Sequence, residues 1–216
     1  MGDFYETFGA DAVKAAYILG IILTKRGAGS SSETELAGFP HHSVNTYLPK
    51  LVKAGCRVAI CDQLEDQKLA KTIVKRGVTE LITPGVSLHD DVLDQKKNNY
   101  LAAVFFNKKC GVSFLDISTG DFLVAEGDSE HIEQLLQSYM PSEVLVPKPK
   151  KQFFNEQFGA SYTCFYIEDW AFEISTAQQK LISHFETHSL EGFWIQNYTV
   201  GISAAGAVMH LSLIHI

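Results

Sequence analysis

Hydrophobic and polar positions repeat with two different periods along this 216-residue chain, and each change of period marks an element. Residues 3–8 read as the end of a strand that Gly9 breaks, and residues 11–19 as a helix with Gly20 at its C-terminal cap. Residues 21–24 form a short strand-like run, and residues 27–35, rich in Gly, Ser and Glu, predict a loop. Between residues 42 and 54, Val44, Tyr47, Leu48, Leu51 and Val52 fall on one helical face, with Gly55 at the end. Pro49 lies inside that helix and removes one backbone donor, so a bend is expected there. Residues 57–61 and 78–83 read as strands. The first part is therefore mixed α/β, in the order β-α-β-loop-α-β-loop-β.

A different rhythm follows. Residues 100–106, 111–117 and 121–126 are strand-like runs separated by Asn107-Lys-Lys and Ser118-Thr-Gly, which suit hairpin turns. A helix is predicted over 129–139, with Ser129 as cap and Ile132, Leu135, Leu136 and Tyr139 inward. Strands at 143–146 and 162–166 flank a short helix near 153–158, and helices close the pattern at 176–186 and 201–209. Three antiparallel strands followed by α-β-α-β-α is the order of a ribonuclease H-like sheet.

Composition changes the picture only modestly. With 46% hydrophobic, 20% charged and 11% aromatic residues, the chain is ordinary globular material with ample surface to bury. No apolar stretch approaches the ~18 residues that cross a bilayer, and the N-terminus lacks the features of a signal peptide. A cytoplasmic protein with no membrane partner is expected. Cys56, Cys61, Cys110 and Cys164 form no CxxC pair, which predicts reduced and mostly buried thiols.

Charge divides the chain more sharply. Residues 1–86 carry ten Lys/Arg and nine Asp/Glu, a net of +1, whereas residues 87–216 carry eight lysines and sixteen acidic residues, a net of −8. Such asymmetry suggests two domains with different partners, although two solvated surfaces would give the same numbers. Thr83-Pro84-Gly85 is turn chemistry, and residues 87–99 form a polar connector, so domains are expected at 1–86 and 100–210 with a linker at 87–99.

Most chemistry that such a chain could carry is missing. A ribonuclease H-like nuclease needs carboxylates converging on two metal ions, one of them within the first strand. Here that strand is Tyr100-Leu-Ala-Ala-Val-Phe-Phe, and Asp116 is the one carboxylate expected in the sheet interior. His184 and His188 share a helical face only if the helix reaches both, and zinc would need further ligands. Gly27-Ala-Gly is not followed by the Gly-Lys-Ser/Thr of a P-loop. An acidic protein–protein adaptor remains a stronger alternative than a nuclease.

The informative segment is Met1-Gly-Asp-Phe-Tyr-Glu-Thr-Phe. Phe4 and Glu6 are two apart and project to one side of a strand. Alternation alone leaves two readings open: Phe4 in the core with Glu6 toward water, the commoner fate of a single aromatic, or ring and carboxylate presented together.

That segment, with Leu23-Thr-Lys-Arg, Ala37-Gly-Phe-Pro-His-His, Tyr47-Leu-Pro-Lys-Leu-Val, Val58-Ala-Ile-Cys-Asp-Gln and Ile82-Thr-Pro-Gly-Val, resembles the MutS family of DNA mismatch repair proteins. Leu115-Asp-Ile-Ser-Thr-Gly and Gly201-Ile-Ser-Ala-Ala-Gly extend the likeness to about residue 210. The resemblance implies an α/β mismatch-recognition domain followed by a ribonuclease H-like connector domain. It implies that Phe4 stacks on a mispaired base while Glu6 hydrogen-bonds to it, and that Lys25, Arg26 and Arg76 lie near the DNA backbone. It further implies mismatched double-stranded DNA and a MutL-type protein as partners, and a homodimeric parent whose ATP and Mg²⁺ are held by domains outside this chain. No cofactor or metal is expected within the chain itself. Family members carry a helix and strand before the Met-Gly-Asp motif, so the chain reads as N-terminally truncated, and residues 211–216 read as a tail foreign to the family.

Overall fold

The computed structural model describes residues 4–27, 29, 31–65, 74–86 and 98–214. The expected connector at 87–99 lies outside them except for Asn98 and Asn99. The chain forms two compact units, one ending at Thr83 and the other beginning at Pro84.

In the first unit, β1 (Phe4–Phe8), β3 (Thr34–Pro40) and β2 (Thr24–Arg26) make a three-stranded antiparallel sheet in the order β1-β3-β2. Helix α1 (Gly9–Leu19) ends as its sequence predicts, because Gly20 adopts the left-handed conformation and its N–H caps Ala16. Helix α2 (Val44–Lys53) accommodates Pro49 in its interior and buries Leu48, Leu51 and Val52. Both helices pack on one sheet face: Ala15, Leu19, Leu51 and Phe39 form one cluster, and Ala12, Ala16 and Ala37 another. Strands β4 (Val58–Gln63) and β5 (Arg76–Ile82) form a separate antiparallel ribbon.

Three expectations for this unit change. The strand expected at 21–24 is instead β2 at Thr24–Arg26, because Thr24, Lys25 and Arg26 are the residues that find partners at Leu36, Glu35 and Thr34. The segment after it is not all loop. Thr34–Pro40 is the central strand, since only β3 pairs with both β1 and β2. Cys61 is exposed rather than buried, because it lies on the outward side of the β4 alternation.

The second unit is a five-stranded sheet, β10-β9-β6-β7-β8, from β6 (Leu101–Phe106), β7 (Cys110–Asp116), β8 (Asp121–Gly127), β9 (Glu143–Pro147) and β10 (Cys164–Ile167). β6, β7 and β8 pair antiparallel, while β6–β9 and β9–β10 pair parallel, which is the ribonuclease H-like arrangement. Helices α3 (Ser129–Tyr139) and α4 (Lys151–Phe158) place Ile132, Leu136, Phe154 and Phe158 against Val104, Phe114 and Val144 on one face. Helix α6 (Val200–Ile214) packs Ala204, Ala207 and Val208 on the other face, against Leu101, Ala103 and Leu145. α5 (Ile174–His184) lies against α6, and a Cβ at Gly206 would stand 2.3 Å from that of Ala177, so this crossing needs glycine.

Here too some details differ. Asp128, not Ser129, caps α3: its Oδ1 accepts from the His131 N–H at 2.9 Å. α5 ends at His184, leaving His188 off the helix. α6 runs on into the segment expected to be a foreign tail, with Leu211 and Ser212 buried; residues 215–216 lie outside the described ones. Asp116 is not the only buried carboxylate of the sheet, since Glu143 on β9 is 1% exposed and accepts from the Gly85 N–H at 3.2 Å.

Candidate nucleic-acid interface

Alternation on β1 sends Tyr5 to the helix-covered face and Phe4, Glu6 and Phe8 to the opposite one. Tyr5 sits 6.2 Å from the Phe39 ring, and its hydroxyl donates to Asp62 Oδ1 at 2.8 Å. Thr79 Oγ1 donates to the other Asp62 oxygen at 2.8 Å, so the β4–β5 ribbon is tied to the back of β1. The Asp62 carboxylate, followed by burial, pushes the Tyr5 hydroxyl above its ordinary range and keeps it a donor.

The opposite face is built differently. The Phe4 side chain is 52% exposed and Phe8 is 44% exposed, whereas Phe39 on the covered face is 8% exposed. Core placement of Phe4, the first of the two open readings, is therefore not what the fold adopts. Register places Glu6 opposite Gly38 and Phe8 opposite Leu36. A Cβ at Gly38 would lie 2.7 Å from the Tyr5 carbonyl oxygen and 3.3 Å from Glu6 Cγ. Glycine at 38 thus lets the Glu6 side chain lie flat over the central strand. Phe4, Glu6, Gly38, Leu36, Ile22 and Thr24 are among the residues that line a groove of about 470 Å³ on this face.

The three cations are not equivalent. Arg26 shares the face, with Nη1 4.0 Å from Glu6 Oε2 and its guanidinium 5.8 Å from the Phe8 ring centre. Lys25, one residue away, points to the other side of β2 and holds Glu33 Oε1 at 2.5 Å. That ammonium, and after it the Gly29 N–H, lowers the Glu33 carboxyl below its ordinary range. Arg76 begins β5 on the ribbon, exposed and opposite Gln63. Phe4, Glu6 and Arg26 are therefore brought to one face, and Lys25 and Arg76 are not part of it. Phe8 continues the row of Phe4 and Glu6, whereas Gly38 was not singled out from sequence. No local signal marked Gly38, because the strand that carries it is defined by its pairing with β1 and β2.

The chemistry open to the face is that of a stacking ring beside a hydrogen-bond acceptor. The sheet carboxylate of the second unit has another task. Asp116 is 1% exposed and accepts from the Asn99 N–H at 2.9 Å, the Ser118 N–H at 2.9 Å and the Ser118 hydroxyl at 2.6 Å, which fixes the β7–β8 turn. Among the described residues no three His, Cys, Asp or Glu side chains gather as metal ligands.

Comparison with known proteins agrees with these two units. The family described as MutS domain I matches residues 1–91, and that described as MutS domain II matches residues 99–212. The DNA mismatch repair protein MutS of Flavobacterium psychrophilum is 63% identical over 211 residues, 97% of this chain and 24% of that protein. The same-named protein of Cytophaga hutchinsonii is 61% identical over 211 residues, covering 97% of the chain and 25% of the relative. That of Bacteroides thetaiotaomicron is 55% identical over 209 residues, covering 96% and 24%. The chain spans about a quarter of the length of these relatives.

Proposed function

The chain belongs to the MutS family, with domains I and II of that family in sequence, and from this membership we propose that its first unit binds mismatched double-stranded DNA. The observation that carries the proposal is the Phe4 ring, 52% exposed beside Glu6 on the sheet face opposite the helices. An exposed ring at a strand end is a wedge. Inserted from the minor groove, it unstacks one base step and kinks the duplex. A mispaired step unstacks at lower cost than a Watson–Crick step, so the same insertion favours the mismatch. Stacking on the freed base contributes about 1–3 kcal/mol.

Glu6 supplies the second criterion. Duplex DNA carries one negative charge per ~1.7 Å of axis, so a carboxylate brought against it is repelled unless it meets an N–H donor. A mispaired base exposes a Watson–Crick-edge N–H that can be that donor, whereas in a fully paired base the same N–H is already engaged by its partner. Glu6 therefore lowers affinity for normal duplex more than it raises affinity for the mismatch. Exposed Lys25 and Arg76 supply charge for phosphates, and Arg26 adds charge on the face itself. The second unit, by this proposal, contacts a MutL-type partner and relays the bound state to the ATP- and Mg²⁺-binding domains of a cytoplasmic homodimer. The chain itself acts as a binding module rather than an enzyme.

The test is fluorescence anisotropy with a G·T heteroduplex and its homoduplex, using the chain and a version extended to the length of its relatives. Preference for the heteroduplex that falls with Glu6→Gln supports the proposal. Equal affinity for both duplexes in the extended protein overturns it.

A further inference from the structure

The face that carries Phe4 and Glu6 also carries a cation whose position does not suit a simple phosphate contact. Arg26 is on β2, an outer strand of the sheet, while Glu6 is on β1, the other outer strand. Two strand spacings of ~4.8 Å separate them. Their registers on β3 are also four residues apart, Arg26 opposite Thr34 and Glu6 opposite Gly38. Only a long side chain directed inward along the sheet diagonal reaches across. The Arg26 guanidinium lies 5.8 Å from the Phe8 ring centre and stops with Nη1 4.0 Å from the Glu6 carboxylate. Phe8 sets its height above the sheet, and Gly38 lets Glu6 lie low enough to meet it. Charge, ring and glycine converge on one carboxylate.

Resting on the reading of Glu6 given above, we infer that Arg26 is a positioning residue for Glu6. It holds the carboxylate over Gly38, beside the groove and next to Phe4, before DNA arrives. A carboxylate already oriented loses less rotamer freedom on meeting a base donor, so the benefit appears with the mismatch and not with normal duplex. Selectivity is then a property of the pair rather than of Glu6 alone.

A phosphate anchor and a positioning residue behave differently in a double-mutant cycle. Anisotropy is measured for the extended protein, its Glu6→Gln, Arg26→Ala and Arg26→Lys variants, and the Glu6→Gln/Arg26→Ala double variant, on heteroduplex and homoduplex across a salt series. Exposed ion pairs of this kind correspond to roughly two- to fivefold effects, so Arg26→Ala should lower the heteroduplex-to-homoduplex ratio by about that factor. In the Glu6→Gln background it should change the ratio no further. Arg26→Lys keeps the charge but not the planar group that rests on Phe8, so it should retain overall affinity while losing the ratio. A phosphate anchor would instead weaken both duplexes alike, make the salt slope shallower by about one, and tolerate lysine. That pattern, or equal effects of Arg26→Ala with and without the Glu6 carboxylate, overturns the inference. If Glu6→Gln alone leaves the ratio unchanged, it is the reading of Glu6 that fails.

Discussion

Truncating Phe4 to alanine distinguishes a wedge from a core residue, because the two lose different things. The ring is 52% exposed, so truncation removes roughly half of the ~1.5–3 kcal/mol that full burial of a phenylalanine is worth, about 1 kcal/mol. Phe39, directly opposite Tyr5 on the covered face, is the internal control. It is 8% exposed and stacked on Tyr47 with ring centres 4.8 Å apart, so Phe39→Ala opens a cavity and should cost about 3–5 kcal/mol. For a unit of this size each kcal/mol shifts the melting temperature by ~4–8 °C. Calorimetry should therefore show a drop of roughly 4–8 °C for Phe4→Ala and more than about 12 °C for Phe39→Ala. Binding should rank the other way. Loss of stacking at ~1–3 kcal/mol weakens heteroduplex binding by about 5- to 150-fold in Phe4→Ala, with a smaller effect on homoduplex. A Phe4→Ala protein that melts as early as Phe39→Ala and keeps its duplex preference would return Phe4 to a purely structural role.

Three further outcomes follow from the second unit. Asp116→Asn replaces one acceptor oxygen among three donors in a buried site, so it should cost about 1–3 kcal/mol in thermal unfolding, and wild-type stability would show that the turn does not depend on this carboxylate. Burial, and then the Lys180 ammonium 3.2 Å away, hold the His210 imidazole below its ordinary range. The unfolded chain therefore takes up the proton first, so stability present above pH 6.5 drains as pH falls toward the lower folded value. The melting temperature of this unit should drop between about pH 7 and 5, and His210→Gln should reduce the drop; an equal drop in the variant refutes the assignment. Lastly, a protease site introduced between residues 90 and 95 should yield two fragments that still co-elute. Val86 packs with Leu101 and Leu145, and Asn99 donates to the Pro84 carbonyl at 3.0 Å, so the cut leaves both flanks docked on the second unit. Separation of the fragments on gel filtration without denaturant would move the domain break away from Thr83.

What was legible in the chain was local. Gly20 and the apolar stripe of α2 specify helices because a capping glycine and a 3.6-residue period act over a few residues. The hairpin runs of β6, β7 and β8 show themselves for the same reason, with turn residues between alternating strands. The two-residue spacing of Phe4 and Glu6 determined that they share a side, and strand geometry could not place them otherwise. Which side faced water was a matter of packing, because Ala12, Ala16, Leu19 and Leu51 had to find the Tyr5–Phe39 face. β3 escaped notice because Gly38, Pro40 and the preceding Gly/Ser-rich stretch read locally as loop. It is a strand because two partners flank it. Arg26 meets Glu6 across that strand, Asp116 turns from a candidate metal ligand into an acceptor for the Asn99 amide, and Glu143 accepts from the Gly85 N–H. Periodicity encodes the direction of a side chain, whereas its neighbour across a sheet depends on register, which only the pairing of segments far apart in sequence sets.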